Sequence, residues 1–472
     1  MAVNRTRTVG IVIGINVLLA AIWWLVPLWM YGVFDDGMFY GSIARNLVYD
    51  AQESIWDLKV TNTLDPKFNG HPPLNFWLQA FFFKLLGDVY WVERIYSFVL
   101  AMGAMGLLVA CWRLWEKDGA RLGLLFWLSI SIVGWSFGNN LLENLLTVCT
   151  VAAVYFLVLA AHRPRQGWFF VFLSGCCIVA AVLTKGPVGL YPLAAPIGYA
   201  FIVERSRWKR AIVETLFLCF LVVASYFLLI TISPRASVFF ERYWELQLVG
   251  SLTGQDSLAV HRFYILQALI EESLPALLVG LFLQRLVHYF KLATSPINKK
   301  AVLFWLWMGV CASLPLLISP KQLRFYIVPA MGWYALAWGI FNWPVFLALI
   351  EHTKTWKRSK MLLAGLVWLG VSGCLLLSFY NKGDNARQTD LLNDTKIIGG
   401  IMPSHSTLHI LPSLYNKWNL HAYFYRYYYI DLTTVYQEQK YVAVPKGAVY
   451  DRSIYKKEVV GLKTLDLYKR QY

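Results

Sequence analysis

The sequence has few charged residues and a large excess of apolar ones. Only 15% of its 472 residues are Asp, Glu, Lys or Arg, whereas 58% are hydrophobic. A soluble protein cannot bury that much apolar surface, so the composition excludes a soluble enzyme and indicates a polytopic membrane protein. The net charge of +16 would suggest nucleic acid in a soluble chain. Here the cations cluster between apolar runs, and we expect no nucleic-acid partner.

Cysteine is missing from every predicted exterior loop. All seven cysteines fall inside apolar runs: Cys111, Cys149, Cys176, Cys177, Cys219, Cys311 and Cys374. This distribution excludes a disulfide framework and a cysteine metal site. We interpret these residues as small buried hydrophobes.

The common catalytic signatures are also missing. No GxGxxG, P-loop, HExxH or GxSxG motif occurs in a suitable context, and no internal repeat is visible. Transporters commonly carry repeats and broken helices. A transporter or lipid flippase therefore stays only as the alternative to an enzyme, and a purely structural subunit would leave the polar residues described below unexplained.

Apolar runs of membrane length recur along the first 380 residues. We place about 11 spans, at 9–33, 95–112, 122–138, 143–161, 168–184, 187–203, 211–232, 263–284, 301–319, 325–349 and 361–380. Alternate connections are rich in Lys and Arg, and the positive-inside rule places these in the cytoplasm. The N-terminus is then cytoplasmic and the tail exterior.

The composition divides the chain into two domains. Residues 1–380 are predicted to form the transmembrane domain, and residues 381–472 a small exterior α/β domain with strands at 407–411 and 441–444. The first exterior loop, 34–94, is amphipathic, as expected of helices that lie in the membrane interface.

Two carboxylates, Asp35 and Asp36, follow directly on the first apolar run. If the next segment is helical, Asp36 and Tyr40 share one face, while Arg45 points to a different wall. Acids after a membrane helix can simply mark its end. The residues that follow favour a functional role.

Further polar residues flank the predicted spans on the exterior side: His71, Glu143, Lys185, His261, Arg262, Lys321 and Arg324. Lys and Arg at this level suit a phosphate, although solvated or snorkelling cations are the plainer interpretation. A carboxylate beside the membrane usually faces a cavity or a partner. Glu271 and Glu272 fall in span 263–284, so either that helix begins later or the acids line a polar cavity.

The motifs follow one another as Asp36-x3-Tyr40-x4-Arg45, His71-Pro72-Pro73-Leu74, Gly87 to Arg94, Glu143, Thr184-Lys185-Gly186 and Lys321-x2-Arg324-x4-Pro329. Over about residues 10–345, the chain resembles the membrane glycosyltransferases of the GT-C class. More narrowly, it is similar to the protein O-mannosyltransferase and aminoarabinose (lipid A) transferase branch. The resemblance implies a GT-C fold and transfer of a sugar from a polyprenyl-phosphate donor to a lipid, glycan or protein acceptor.

The resemblance also implies residue roles. The catalytic carboxylate of the family falls on Asp36; the family usually has Glu after it, where this chain has Gly37, so Asp35 could stand in. Glu143 replaces a usual Asp. Lys185, Lys321 and Arg324 match positions that would hold the donor phosphate, and His261-Arg262 resembles a motif that opens a later span.

Tyr40, Arg45 and His71 complete the expected substrate-binding set. The aminoarabinose transferases have Glu-Lys-Pro where this chain has Gly70-His71-Pro72, so no metal ligand is assigned. No cofactor is certain, and a divalent metal ion stays a candidate. We expect an inverting transfer at the periplasmic face of a bacterial inner membrane, among membrane lipids.

Overall fold

The computed structural model describes residues 2–50, 54–250, 262–353, 356–437, 439–450 and 453–471, with side chains from residue 10 onward in the first helix. It consists of a helical domain followed by a small mixed sheet with its own helices. The predicted fold class, a polytopic helical membrane protein with a small C-terminal α/β domain, is therefore confirmed.

The described helices of the larger domain are α1 (Ala2–Ala20), α2 (Asp35–Tyr49), α3 (Leu74–Leu86), α4 (Val92–Arg113), α5 (Ala120–Ser129), α6 (Ser131–Gly138), α7 (Leu142–His162), α8 (Gly167–Lys185), α9 (Ala195–Ile202), α10 (Trp208–Ile232), α11 (Pro234–Arg242), α12 (Tyr264–Tyr289), α13 (Lys299–Ser313), α14 (Val328–His352) and α15 (Lys357–Tyr380). Among these residues, eight helical segments are long and apolar enough to cross a membrane, or nine if the bent pair α5–α6 forms one span.

Every predicted span falls on helical structure, but three differ in detail. Span 122–138 is divided into α5 and α6, which are bent by 77° at residue 130. Span 9–33 is shorter than predicted, because its helix gives way to turns after Leu25 and Pro27 follows. Residues 164–202 form one helical run of 39 residues that reverses at Gly186, where φ is +68°. A Cβ on Gly189 would lie 2.6 Å from the Ala181 carbonyl carbon, so the two halves pack backbone to backbone.

The first exterior loop holds α2 and α3. Pro72 and Pro73 precede α3, which begins at Leu74. Proline is well suited to a helix start, where its missing amide hydrogen leaves no hydrogen bond unmade. Phe76 and Phe83 are buried, whereas Phe81 and Leu85 are more than half exposed. One face of α3 is therefore apolar and uncovered, as a helix at the membrane interface requires.

The C-terminal domain contains strands β1 (Thr407–Ile410), β2 (Asp431–Thr433), β3 (Tyr441–Pro445), β4 (Tyr455–Lys457) and β5 (Leu465–Arg470), in the order β2-β1-β3-β5-β4. β1 is parallel to β2 and β3, and β5 is antiparallel to β3 and β4. The described helices here are α16 (Thr389–Ile401), α17 (Pro412–Tyr415) and α18 (Trp418–Tyr428). The predicted strands at 407–411 and 441–444 correspond to β1 and β3.

The two domains are joined at α2. Arg45, on α2, is buried and donates hydrogen bonds of 2.8 Å to the carbonyl oxygens of Tyr425 and Arg426 on α18. Arg426 in turn forms ion pairs with Asp88 and Glu93 of the first exterior loop. The catalytic candidate helix is therefore held between the membrane helices and the C-terminal domain.

Candidate active site

A cavity of about 710 Å³ is lined mainly by residues at the ends of α7, α8 and α13 and in the segments that follow them. His71 also lines it and contacts Tyr40 of α2, whereas Asp36 and the other residues of α2 are not part of the lining. Much of its wall is apolar, with Leu146, Val188, Leu190, Leu193, Leu248, Pro315, Leu316 and Ile318 among the lining residues. Its charged or titratable lining residues are His71, Glu143, Lys185, Lys321, Tyr191, Tyr243, Cys311 and Tyr326. An apolar cavity with a few polar groups is the usual form of a ligand site.

Lys185 and Glu143 form an ion pair at this cavity. Glu143 lies in the first turn of α7 and Lys185 is the last residue of α8, so both charges are favourable to the dipoles of their helices. The Lys185 ammonium also lies 4.1 Å from the ring centre of Tyr326. Both side chains are nearly buried, and Lys185 is therefore directed into the protein rather than snorkelling to the membrane surface.

The start of α2 is fixed against residues 139 and 140. The Phe34 amide donates to Asn139 Oδ1 at 2.8 Å, and Asn140 Nδ2 donates to the Gly37 carbonyl at 2.9 Å. A Cβ on Gly37 would overlap the Asn139 carbonyl oxygen. This close approach explains why glycine, rather than a second acid, follows Asp36.

Asp36 is half-buried and lies within the field of the charged lining residues. Burial raises the pKa of Asp36 to about 6; the charges of Glu143 and Asp35 add to this effect, and Lys185 and Lys321 oppose it. The Asp36 carboxylate is thus ionised at neutral pH, yet basic enough to accept a proton.

Asp35 lies in different surroundings. Its Oδ1 is 3.6 Å from Nη2 of Arg387, which belongs to the segment that follows the last membrane helix. Burial raises the pKa of Asp35, and the Arg387 charge opposes that shift. The two neighbouring carboxylates are therefore not equivalent.

Tyr40 and His71 come together on the cavity side of α2. Their rings meet edge to face with centres 5.9 Å apart, and His71 lines the cavity. Burial lowers the pKa of His71 well below its ordinary value, and the charges of Lys185 and Lys321 lower it further. His71 is therefore neutral at pH 7 and offers hydrogen bonds rather than charge.

Arg45 is placed away from the cavity. The sequence suggests a substrate-binding role, but the Arg45 guanidinium is bound to α18 and lies 3.6 Å from the ring centre of Tyr429. The opposite face of α2 packs against the C-terminal domain, so a residue on that face cannot reach the cavity. Arg45 therefore has a structural role: it joins α2 to α18.

Arg324 is also placed differently from the expectation. It forms ion pairs with Glu271 and Glu272, and Glu272 additionally accepts hydrogen bonds from Ser131 Oγ at 2.6 Å and the Ile132 amide at 3.0 Å. Neither sequence interpretation of the two acids applies, since α12 begins at Tyr264 and the acids bind Arg324 and the start of α6. Lys321, three residues before Arg324, is the member of this pair that lines the cavity.

The last predicted site residues are His261 and Arg262. His261 lies outside the described residues. Arg262 is exposed, and its carbonyl oxygen accepts a hydrogen bond of 2.9 Å from Gln322 Nε2, next to Lys321. Arg262 therefore supports the Lys321 loop through its backbone.

Sequence reasoning missed several polar and aromatic lining residues, among them Tyr326, Tyr191, Tyr243 and Gln247. Tyr326 lies inside the Lys321-x2-Arg324-x4-Pro329 motif, where an aromatic residue near two cations was a usable signal. Tyr243 and Gln247 come from a loop region whose polar and aromatic mixture gave no specific indication. Within the described residues, no group of three or more His, Cys, Asp or Glu could hold a metal ion.

Part of the chain that carries these site residues matches a known protein family. Residues 70–230, which include His71, Glu143 and Lys185, match the family model described as dolichyl-phosphate-mannose-protein mannosyltransferase. A search of curated proteins by sequence gave no significant match.

The whole fold is similar to that of solved structures of ArnT. ArnT from Cupriavidus metallidurans bound to undecaprenyl phosphate is 14% identical, with a TM-score of 0.66 over 99% of this chain and 98% of that one. The apo state of ArnT gives 14% identity and a TM-score of 0.63 over 95% of each chain. The archaeal oligosaccharyltransferase AglB from Archaeoglobus fulgidus, in complex with an inhibitory peptide and a dolichol-phosphate, gives 13% identity and 0.49 over 93% and 69%.

Proposed function

We propose that this chain, an integral membrane protein with the GT-C glycosyltransferase fold, transfers a sugar from a polyprenyl-phosphate donor to a lipid, glycan or protein acceptor. One observation carries the proposal. An apolar cavity of about 710 Å³ is lined by the cations Lys185 and Lys321, and Asp36 lies within reach of their charges. The apolar wall suits prenyl units, and the two cations suit the phosphate.

The proposed reaction needs little acid catalysis. The acceptor hydroxyl oxygen attacks the anomeric carbon, the bond from that carbon to the phosphate oxygen breaks, and the bonding electrons leave with the polyprenyl phosphate. Lys185 and Lys321 stabilise the charge on the departing phosphate. Asp36 takes the proton of the acceptor hydroxyl.

Glu143 has an orienting role in this proposal. It holds the Lys185 ammonium at the cavity wall, where Tyr326 covers its other side. Its negative charge also raises the pKa of Asp36, which makes that carboxylate a better proton acceptor. Neutral His71, beside Tyr40, is placed to donate or accept a hydrogen bond to the sugar.

Direct displacement inverts the anomeric centre. The anomeric configuration of the product, compared with that of the donor by NMR, tests this step. Retention would exclude direct displacement by the acceptor from the face opposite the phosphate.

We further propose that the site faces the periplasm of a bacterial inner membrane. The support is the charge distribution, since the Lys- and Arg-rich connections alternate with those that carry Asp36 and Lys321. A cysteine introduced at exposed Val449, in the C-terminal domain, should react with a membrane-impermeant maleimide in intact spheroplasts. A cysteine at exposed Lys299 should react only after lysis, and the reverse pattern would overturn the orientation.

The central experiment uses the full chain in nanodiscs with a panel of undecaprenyl-phosphate sugars, each with Mg²⁺ and with EDTA. One donor should be consumed, and Asp36→Asn should lower its turnover by about 10² to 10⁴. Asp57→Asn is the matched control, because Asp57 is an exposed acid of the same loop, paired with Arg235. If no donor is consumed while a labelled prenyl lipid crosses the bilayer of proteoliposomes, a transporter replaces the enzyme.

A further inference from the structure

The segment after the last membrane helix returns to the start of α2. The Gly383 amide donates to the Trp29 carbonyl at 2.9 Å, the Tyr31 amide to the Asp384 carbonyl at 2.7 Å, and the Ala386 amide to the Tyr31 carbonyl at 2.8 Å. Tyr31 and Asn385 form an isolated parallel β-bridge. Residue 387 is therefore positioned by the same stretch of backbone that leads into the two carboxylates.

The Arg387 side chain extends from this bridge to Asp35. Its guanidinium carbon lies 5.2 Å from the ring centre of Phe34, and its Cγ would lie 3.4 Å from a Cβ on Gly32. The 3.6 Å between Nη2 and Asp35 Oδ1 is an ion-pair distance but too long for a hydrogen bond. Arg387 therefore acts on Asp35 mainly through its charge.

The charged groups around the two carboxylates fall into two sets. Glu143 and Lys185, at the ends of membrane helices, and Lys321, in the loop after residue 318, act on Asp36, and the phenols of Tyr40 and Tyr326 lie in its field. Arg387 acts on Asp35 from the segment before α16, and the buried Tyr423 hydroxyl of α18 lies in the field of both. The cavity cations Lys185 and Lys321 thus stabilise the negative charge of Asp36, whereas Arg387, from the C-terminal part of the chain, stabilises that of Asp35.

We propose that Arg387 is a positioning residue that assigns the roles of the two adjacent carboxylates: it neutralises Asp35 and leaves Asp36 as the proton acceptor. The inference rests on the proposed function, because it takes Asp36 as the base. It makes the C-terminal segment part of the catalytic unit rather than an appendage.

Removing Arg387 and removing the charge of Asp35 should shift the pKa of Asp36 in opposite directions. Removing Arg387 leaves Asp35 uncompensated, so the Asp36 carboxylate should protonate at a higher pH. Removing the charge of Asp35 leaves Arg387 uncompensated, so Asp36 should protonate at a lower pH. With both removed, the two effects should cancel, and the midpoint should return to near the wild-type value.

The test reads the protonation of Asp36 without requiring turnover. Full-length protein in nanodiscs is treated with dicyclohexylcarbodiimide, which modifies protonated carboxyl groups, and labelling at Asp36 is followed by peptide mass spectrometry from pH 4 to 9. We expect the midpoint to rise by about 0.5 to 1 pH unit in Arg387→Gln and to fall by a similar amount in Asp35→Asn. Arg387→Lys should restore the wild-type midpoint, and Asp35→Asn/Arg387→Gln should lie near it.

Lys382→Gln, an exposed cation of the same segment, is the matched control and should leave the midpoint unchanged. Equal midpoints in wild type and Arg387→Gln would overturn the inference. If Arg387→Gln is not monodisperse on size exclusion, Asp35→Asn alone decides, since an unmoved midpoint there also overturns it. A shifted midpoint without turnover on any prenyl-phosphate sugar would leave the carboxylate assignment standing and remove the proposed function.

Discussion

The two buried ion pairs near α2, Glu143–Lys185 and Glu93–Arg426, are chemically alike but differ in their surroundings. Glu143 and Lys185 meet at the wall of a cavity, where a third charged group has room to bind. Arg426 is enclosed: its nitrogens are bound by Glu93, by Asp88 at 2.8 Å and by the Val89 carbonyl at 2.9 Å. Open space beside the charges, rather than the pairing itself, separates the candidate catalytic pair from the structural one.

The largest expected effect comes from breaking the enclosed pair. Arg426→Met leaves Glu93 and Asp88 without their cation, and removing one partner of a buried pair costs about 3–5 kcal/mol of folding free energy. We expect a marked fall in the melting temperature and easier proteolysis of the C-terminal domain. Glu93→Gln in the same chain should recover part of the loss, whereas exposed Lys417→Met should have no effect. Unchanged melting would contradict the structural role.

Breaking the pair at the cavity should act on catalysis instead. Lys185→Met removes a cation from the departing phosphate, which we expect to lower kcat/KM by about 10² to 10³. The melting temperature should fall less than in Arg426→Met, because Glu143 lines the cavity, where water can solvate its carboxylate. Lys84→Met, an exposed cation on α3, is the control. If Lys185→Met lowered the melting temperature but left kcat/KM unchanged, the Glu143–Lys185 pair would be structural, like the ion pairs of Arg426.

The pH dependence separates catalysis from stability at Asp36. The base must be ionised, so kcat/KM should fall about tenfold per pH unit below about 6, where the pKa of Asp36 lies, and level off above it. Because this folded-state pKa exceeds the ordinary 3.8, ionisation costs folding free energy as the pH rises from 3.8 to about 6. Asp36→Asn should therefore melt no lower than wild type at pH 7, and a lower melting temperature would indicate a structural carboxylate.

The smallest effect is expected at Arg324. It is bound to Glu271 and Glu272 rather than to the cavity, and its side chain is 37% exposed. Arg324→Gln should change KM for the donor less than about threefold, because Arg324 does not line the cavity, while Lys321→Gln should raise KM at least tenfold because Lys321 does. If the two substitutions raised KM equally, Arg324 would contribute to binding the donor phosphate after all.

Much of the site could be anticipated because polar groups beside a membrane are costly and therefore few. Glu143, Lys185 and Lys321 were singled out for their position beside the membrane, and His71 for its place in a proline turn near the Asp pair. The structure places all four on one cavity. The helical spacing that put Asp36 and Tyr40 on one face of α2 and Arg45 on another also agrees with the structure. The purpose of the Arg45 face was missed, because nothing in its neighbouring sequence indicates the contact with α18.

The membrane-spanning architecture could be predicted from hydropathy alone, since hydrophobicity adds up along a continuous segment and needs no knowledge of distant residues. The charged contacts could not, because they join residues that are far apart in the chain. Arg426 is 333 positions from Glu93, and Arg387 reaches Asp35 across the length of the membrane domain. Electrostatic energy depends on distance in space and on local burial. A sequence shows which residues carry charge, and the fold decides whether each one binds a partner or is left facing the cavity.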